Sequence, residues 1–415
     1  MTRNILVFVF VARVFLFLPF MTVAGCIPVL MEAWDIGAAK VSTIVSGFYF
    51  AYAFSLFGFS WLGGRIGAKR AVALSAWATA LSCTAFALLA RDYMSSLVLY
   101  SLIGLCQGGV YTPLIMLFRE NTPPERLGSA IGALIASTSV GYAASIGATG
   151  FALGLSGWQT AFLLTGALPL AGTLLLLAAI RDLPNIIHAR MPDSGLWRQL
   201  RDNRSARHLL IGYTSHNWEL LGMWTWAPAL IAASFVLSGE NTVDATQSSA
   251  YFVTALHVVG AFAAYYMGRL SDRIGRRTVL VWAAAIAAGF SFGVGWLVVF
   301  TPYLIAGLII LYSFFALGDS PVLSTAMAER VEPGTLGAML AARSMAGFIT
   351  GAVSPIVFGW VIDTLRAGNA GDSVIWGAAF ATLGLGGLLA LWSAVRLPER
   401  GGHPSADRTG SAATR

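Results

Sequence analysis

Apolar residues follow one another in long runs along this chain, and short polar segments separate the runs. A helix needs about 20 predominantly apolar residues to cross a bilayer. Twelve runs reach that length, and we number them spans 1 to 12: residues 5–31, 41–62, 69–90, 95–117, 128–154, 158–180, 208–236, 248–269, 277–299, 302–327, 337–362 and 374–396. The pattern therefore predicts an all-α integral membrane protein with twelve transmembrane helices.

Composition and charge support this prediction. Hydrophobic residues make up 57% of the chain and charged residues 11%, whereas soluble domains contain about 45–50% and about 25% of these classes. Most Lys and Arg residues lie before span 1 or after an even-numbered span, and Lys40, Arg91 and Arg366 lie on the other side. Because cytoplasmic loops are rich in Lys and Arg, we predict cytoplasmic termini and an inner membrane of bacterial type. The net charge of +7 thus indicates topology and contact with anionic lipid, not nucleic-acid binding.

The two halves of the chain repeat one another. Matching residues recur in the same order about half a chain apart: Pro28 with Pro228, Glu120 with Glu329, and Pro124 with Pro333. We predict two pseudo-symmetric six-helix bundles, residues 1–181 and 207–398, joined by a cytoplasmic linker, residues 182–206. Residues 399–415, rich in Gly, Ser, Thr and Arg, are predicted to be a disordered cytoplasmic tail.

The loop after span 8 carries a motif. Its sequence is Gly268-Arg269-Leu270-Ser271-Asp272-Arg273-Ile274-Gly275-Arg276-Arg277, and a weaker copy, residues 60–70, follows span 2. The motif fits the pattern G-x-x-x-D-R-x-G-R-[RK], and the chain resembles the major facilitator superfamily over nearly its whole length. The resemblance implies transport by alternating access, a monomer, and a central cavity lined by spans 1, 4, 7 and 10. In the weaker copy, Gly64 stands where the pattern has its aspartate.

The same loop is predicted to be a cytoplasmic gate. Asp272 ends span 8 where we expect it to face the positive N-terminal end of span 5, near Arg126. The other predicted gate residues are three arginines and two acids with which they can pair: Arg273, Arg276, Arg277, Glu120 and Glu329. These bonds would close the cytoplasmic mouth. The alternative is that the arginines only set topology.

Six ionisable residues lie well inside the spans: Arg13, His216, Glu219, His257, Asp319 and Arg343. Each costs about 2.5–3.5 kcal/mol or more unless it is paired or hydrated. Glu219 and Asp319 are predicted to carry protons, and His216 to tune them, because it shares a helix face with Glu219. His257 is a further titratable candidate for proton coupling. Arg13 and Arg343 are predicted to bind an anion through their planar guanidinium groups.

Neutral groups complete the predicted substrate site. Trp218 and Trp224 of span 7 offer ring faces and indole N–H donors, and Gln107 and Tyr111 share a face of span 4. Pro321, two residues after Asp319, predicts a break in span 10.

Structural explanations remain open for the buried charges. Glu219 and His216 can form a pair that only orients helices, and His257 can be an ordinary core histidine. Arg13 can extend to the lipid headgroups along its apolar stem, and Arg343 can neutralise Asp319 or Glu219.

Cysteine and histidine patterns give no metal or disulfide site. Cys26, Cys83 and Cys106 form no CxxC pair, and no third ligand accompanies His216 and Glu219, so no metal is predicted. The sequence before Cys26 resembles a lipoprotein cleavage site, but Arg13 interrupts the apolar core, and we predict that span 1 is retained.

These observations predict a secondary transporter that couples the movement of a small organic or inorganic anion to protons. A proton-driven exporter of drugs or metabolites is the alternative within transport. The alternative from another class is a non-transporting sensor or scaffold with the same fold. We find no nucleophile–base pair, phosphate loop or cofactor motif, so no enzyme activity and no cofactor is predicted; the expected partners are the substrate, protons and the lipid bilayer.

Overall fold

The computed structural model describes residues 3–187 and 195–398. Within these ranges the chain is helical almost throughout and contains no strand. The predicted tail, residues 399–415, and residues 188–194 of the predicted linker lie outside the described residues. The α-helices are α1 Arg3–Leu16, α2 Thr22–Trp34, α3 Ala38–Ile66, α4 Ala68–Leu89, α5 Tyr93–Gln107, α6 Thr112–Asn121, α7 Pro124–Ser156, α8 Trp158–Ile180, α9 Leu196–Asp202, α10 Arg204–Leu237, α11 Thr242–Ile274, α12 Arg276–Gly293, α13 Pro302–Arg330, α14 Pro333–Ala367 and α15 Asp372–Val395.

The fold has two six-span halves. The first half contains α1 to α8, the second contains α10 to α15, and the short α9 lies between them. Among the described residues, eleven segments are long and apolar enough to cross a membrane, with α5 and α6 together forming one of them. Span 1 is the twelfth crossing and consists of α1 and α2. The predicted all-α, twelve-span fold is confirmed.

Span 1 is broken at residues 17–21, a feature that the apolar run did not predict. Pro19 lies at the break and has no N–H to donate, which frees nearby carbonyl oxygens. Buried side chains satisfy them: Gln107 Nε2 donates to the Leu16 carbonyl at 2.6 Å, and the Tyr100 hydroxyl donates to the carbonyls of Pro19 at 2.7 Å and Phe20 at 2.8 Å. Irregular backbone at this depth persists because protein groups replace the missing partners.

Span 10 is continuous, and the predicted break at Pro321 does not occur. The helix α13 runs from Pro302 to Arg330 with the proline inside it. Proline removes one backbone hydrogen bond, to the carbonyl of Leu317 four residues earlier. Nearby hydroxyls also donate to carbonyls of this segment, Ser324 to Ser320 at 2.9 Å and Thr325 to Pro321 at 3.0 Å.

The two halves meet closely at one end of the molecule and separate at the other. We call the end where α1 begins and α15 ends the terminal face, and the other end the opposite face. A Cβ on Gly150 of α7 would lie 2.6 Å from the Ala250 Cβ of α11, so these helices touch near the opposite face. Gly132 and Gly268 lie on the same faces of α7 and α11, about five turns nearer the terminal face. Neither has any atom within 4 Å of its Cβ position.

The helices α3 and α14 show the same divergence. A Cβ on Gly359 would lie 2.6 Å from the backbone of Ala38, whereas Gly337, about six turns away on a similar face of α14, has nothing within 4 Å. At these two helix pairs the halves are therefore in contact near the opposite face and separated by a gap near the terminal face.

Candidate functional site

Arg13 of α1 is a fully buried cation at the inner end of this gap. Its side chain is 0% exposed, so it does not extend to the headgroups. Nη1 donates to the Leu134 carbonyl at 2.6 Å, and Nη2 donates to the Thr138 hydroxyl at 2.7 Å. The guanidinium carbon lies 5.2 Å from the centre of the Phe17 ring and 5.6 Å from that of Tyr111. Nε has no hydrogen-bond partner.

Arg343 of α14 approaches the gap from the second half. Its guanidinium carbon lies 4.0 Å from the centre of the Tyr213 ring, and Nη1 donates to Ser324 at 3.1 Å. Its Nε also has no hydrogen-bond partner. Tyr111, in the first half, interacts electrostatically with both Arg13 and Arg343.

No carboxylate of the described residues forms an ion pair with Arg13 or Arg343. Arg343 therefore does not neutralise Asp319 or Glu219. We call Arg13, Tyr111, Thr138, Tyr213 and Arg343 the two-arginine cluster. Two guanidinium groups without a carboxylate partner make this cluster a region of positive potential between the halves, and a planar guanidinium fits carboxylate, sulfonate or phosphate oxygens.

An aromatic layer covers the two-arginine cluster on the side of the opposite face. The Tyr142 ring, one turn beyond Thr138 on α7, lies 5.2 Å from Trp224 and 5.9 Å from His257, both in the second half. The Phe348 ring lies 5.0 Å from Tyr52 across the same interface. Trp224 Nε1 and His257 Nε2 are buried without a hydrogen-bond partner. The layer therefore closes the gap and leaves two polar atoms available to a bound molecule.

Glu219 lies inside the second half and not at the interface between the halves. Its side chain is buried, and Oε1 accepts hydrogen bonds from Ser291 of α12 at 2.7 Å and from Tyr312 of α13 at 2.9 Å. The two hydroxyl oxygens are 2.5 Å apart. Among the described residues no Arg or Lys pairs with Glu219. Neutral donors alone hold this carboxylate, an arrangement in which the carboxyl can gain or lose a proton.

His216 and Asp319 form a second buried group next to Glu219. His216 Nδ1 lies 3.0 Å from Asp319 Oδ1, and His216 Nε2 lies 2.9 Å from the Ser320 hydroxyl. Glu219 interacts electrostatically with both residues. The structure thus brings together three of the residues that the sequence predicted to handle protons, and we call Glu219, His216 and Asp319 the acid–histidine cluster. His257 lies apart from it, in the aromatic layer.

Two of the predicted substrate contacts use their polar groups elsewhere. Gln107 Nε2 donates to the Leu16 carbonyl at the break in span 1. The Trp218 indole donates to the Thr382 carbonyl of α15 at 2.9 Å. Tyr111 and Trp224, in contrast, lie at the interface between the halves.

The predicted gate residues form contacts inside the second half. Arg276 Nη1 lies 2.5 Å from Asp272 Oδ1, and Arg276 Nη2 lies 3.0 Å from Glu329 Oε1. The start of span 5 does not crowd this loop, since Gly128 has nothing within 4 Å of its Cβ position. The contact of Asp272 with span 5 therefore stays a prediction for a state closed at the terminal face. Arg273, Arg277 and Glu120 keep the same predicted role.

Sequence reasoning missed a contact between the halves at the opposite face. Asp363 of α14 accepts hydrogen bonds from the backbone N–H groups of Ala38 at 2.8 Å and Ala39 at 2.9 Å, the first residues of α3. A carboxylate at a helix N-terminus satisfies free N–H groups and interacts favourably with the helix dipole. Asp363 directly follows the predicted end of span 11 and was not among the predicted site residues. The available signal was the one used for Asp272, an acid at the end of a span that can face the N-terminal end of another helix.

Solved transporter structures share this fold. A crystal structure of a bacterial homologue of the human lysosomal transporter Spinster, inward-facing and unoccupied, matches with a TM-score of 0.75 at 13% identity, over 95% of this chain and 96% of its own. A crystal structure of a mutant of the nucleoside transporter NupG matches with a TM-score of 0.72 at 12% identity, over 94% and 99% of the two chains. At such identities the likeness shows the fold alone.

Two named transporters are similar to the chain in sequence. SauU of Cupriavidus necator, named as a probable sulfoacetate transporter, is 25% identical over an alignment of 394 residues, and the match covers 88% of this chain and 87% of that protein. NiaP of Bacillus subtilis, provisionally named as a niacin/nicotinamide transporter, is 26% identical over 360 residues, 84% of this chain and 85% of that protein.

A family model identifies the chain. The model of the Major Facilitator Superfamily matches residues 9–320 and 244–414, which together span nearly the whole sequence. This match agrees with the twelve-span fold and with the motif at residues 268–277. The chain belongs to the major facilitator superfamily and is a multi-pass membrane transporter, not an enzyme.

Proposed function

We propose that this transporter moves a small anion across an inner membrane of bacterial type by alternating access, coupled to protons, with its terminal face in the cytoplasm. The observation that carries the proposal is the two-arginine cluster. Its two buried guanidinium groups have no carboxylate partner among the described residues and lie where the gap between the halves ends.

The energetics of the cluster favour an anionic ligand. A buried charge costs about 2.5–3.5 kcal/mol or more in a membrane. The Leu134 carbonyl and the Thr138 hydroxyl offset part of this cost for Arg13, but neither is charged. A substrate carboxylate or sulfonate supplies the missing negative charge and pairs with guanidinium N–H groups in two parallel hydrogen bonds. Because Arg343 is attached to the other half, one anion held by both arginines joins the two halves.

The acid–histidine cluster supports coupling to protons. Glu219 is buried, and its hydrogen-bond donors among the described residues are the hydroxyl groups of Ser291 and Tyr312. The Asp319 carboxylate lies 3.0 Å from the His216 ring. Intramembrane acids of this kind are typical of proton relays in transporters. The acid–histidine cluster lies within the second half, so protons and substrate bind to separate groups. The two groups of residues are connected through α10 and α13, because Arg343 contacts Tyr213 of α10 and Ser324 of α13.

The relatives agree with an anionic substrate. Sulfoacetate, in the name of one relative, and niacin, in the name of the other, are both anions at neutral pH. Nicotinamide, which the second name also contains, is neutral and differs from niacin by an amide in place of the carboxylate. Niacin and nicotinamide therefore form a matched pair for testing whether charge is recognised.

The test is transport by the purified full-length protein in liposomes that contain a pH-sensitive dye. Sulfoacetate, niacin, nicotinamide, inorganic anions and cationic drugs are added in turn, with empty liposomes as the control. We expect acidification of the interior with at least one anion, and no response to nicotinamide. Responses to nicotinamide equal to those with niacin would contradict charge recognition. A response confined to cationic drugs would instead show the exporter, for which the aromatic layer would be the binding surface.

A further inference from the structure

A small cavity lies inside the second half, apart from the gap between the halves. Its volume is about 10 Å³, enough for the centre of one water molecule. It lies among α10, α12, α13 and α15, and the lining residues that matter here are His208, Gly212, Asp319, Ala390 and Ser393. His208 lies in the second turn of α10, at the terminal face, and Asp319 lies at the inner end.

The cavity has polar atoms that lack partners at both ends. His208 is 7% exposed and its Nδ1 has no hydrogen-bond partner. Asp319 is 6% exposed, and its Oδ1 accepts no hydrogen bond of good geometry although His216 Nδ1 is 3.0 Å away. Ser393, between them, donates from its hydroxyl to the His208 carbonyl. Buried water persists where it finds two to four polar partners, and this cavity offers them.

A series of titratable groups leads inward from the cavity along α10. Asp319 contacts His216, and His216 lies one turn from Glu219 on the same face. His208 is two turns of α10 before His216, toward the terminal face. Three arginines interact electrostatically with the His208 ring: Arg204, Arg207 and Arg396.

We propose that this cavity is the route by which protons pass between the terminal face and the acid–histidine cluster, with His208 as the entrance. Each transfer breaks one N–H or O–H bond and forms another, from the His208 ring through a cavity water to the Asp319 carboxylate. The route rests on the proposed function, because it serves the proposed proton carriers. It also lets protons exchange without passing through the two-arginine cluster.

The experiment follows protonation of the buried carboxyl groups without any substrate. The purified full-length protein is given a rapid pH jump, and infrared absorption in the carboxyl C=O region is recorded over time. Glu219→Gln and Asp319→Asn assign the bands. Two variants obstruct the route: His208→Gln removes the titratable ring, and Ala390→Leu fills the cavity. Leu323→Val is the matched control, because it shortens an apolar lining side chain, removes no polar atom and leaves the cavity open.

We expect both obstructing variants to slow protonation by about tenfold or more, as the loss of a positioned proton carrier does, and Leu323→Val to keep the wild-type rate. If the carboxyl groups of Ala390→Leu are protonated at the wild-type rate, the proposed route is wrong, whatever the result for His208→Gln. The proposal that Glu219 and Asp319 carry protons would not be contradicted by that result. If the carboxyl C=O bands that change after the pH jump are the same in Glu219→Gln, Asp319→Asn and the wild type, then neither Glu219 nor Asp319 takes up the proton. The proposed proton carriers and the proposed route would then both be wrong.

Discussion

The carboxylate of Asp363 accepts a hydrogen bond of 2.8 Å from the backbone N–H of Ala38, and this contact joins the two halves at the opposite face. The second carboxylate oxygen accepts from Ala39 at 2.9 Å. Asp363 thus caps a helix of the other half. The cap exists only while the opposite face is closed, because its donor and acceptor belong to bodies that must separate when that face opens.

Replacing Asp363 should shift the transporter toward a state open at the opposite face. Loss of a helix cap costs about 0.5–2 kcal/mol, so Asp363→Ala should raise the population of that state by about twofold to thirtyfold. Labelling of a cysteine placed in the interface near Gly359 measures the change. Asp92→Ala is the matched control, since Asp92 caps α5 within a single half by accepting from the Ser95 N–H at 2.9 Å. Equal labelling of both variants would show that Asp363 does not hold this face closed.

Neutralising either arginine of the two-arginine cluster should weaken substrate binding. A hydrogen bond to a charged group contributes about 1.5–3 kcal/mol, so Arg13→Gln and Arg343→Gln should each lower affinity by about tenfold to a hundredfold. The affinity is measured by titration calorimetry with the anion identified in liposomes. Arg366→Gln, which changes an exposed arginine at the opposite face, should bind as the wild type does. Wild-type affinity in both cluster variants would refute the anion site.

Hydropathy was sufficient to predict the spans, but not their interruptions. Twelve apolar runs are visible because each span must be apolar for its whole length. The break at Pro19 escaped notice because the residues around it are apolar too, and its freed carbonyls are satisfied by Gln107 and Tyr100 from a distant part of the chain. At Pro321 the helix continues although the proline removes one backbone hydrogen bond, and the sequence alone did not distinguish this proline from one that ends a helix.

The candidate site was predicted as a set of residues but not as an arrangement. Burial of a charge in a membrane is costly, so the position of Arg13, Glu219 and Asp319 inside apolar spans was enough to predict that they have a function. Which face of a helix meets the cavity depends on packing with neighbouring helices. The sequence therefore could not show that Glu219 faces Ser291 and Tyr312 within one half, or that Trp218 bonds to α15.

Removing the carboxyl of Glu219 should separate exchange from proton coupling. In Glu219→Gln the amide oxygen still accepts from Ser291 and Tyr312, so the bundle should fold and bind substrate normally. Because the amide cannot carry a proton, we expect substrate exchange to continue and substrate-driven acidification to be lost. Both are measured in the same liposomes. Glu32→Gln, at an exposed carboxylate of α2, is the control. Acidification that survives in Glu219→Gln would exclude Glu219 as the proton carrier.

Gln107 and Tyr111 should differ in what they contribute, although both were predicted to contact substrate. Gln107 donates to the Leu16 carbonyl at the break in span 1, and a buried acceptor left without its donor costs about 1–3 kcal/mol. Gln107→Leu should therefore lower the Tm of the purified protein and change substrate affinity by less than about twofold. Tyr111→Phe should do the opposite, because Tyr111 interacts electrostatically with both arginines and its hydroxyl donates to no described carbonyl at the break in span 1. If Gln107→Leu lowers affinity while the Tm is unchanged, Gln107 contacts the substrate directly, and Tyr100 and Ser145 are enough to hold the break in span 1.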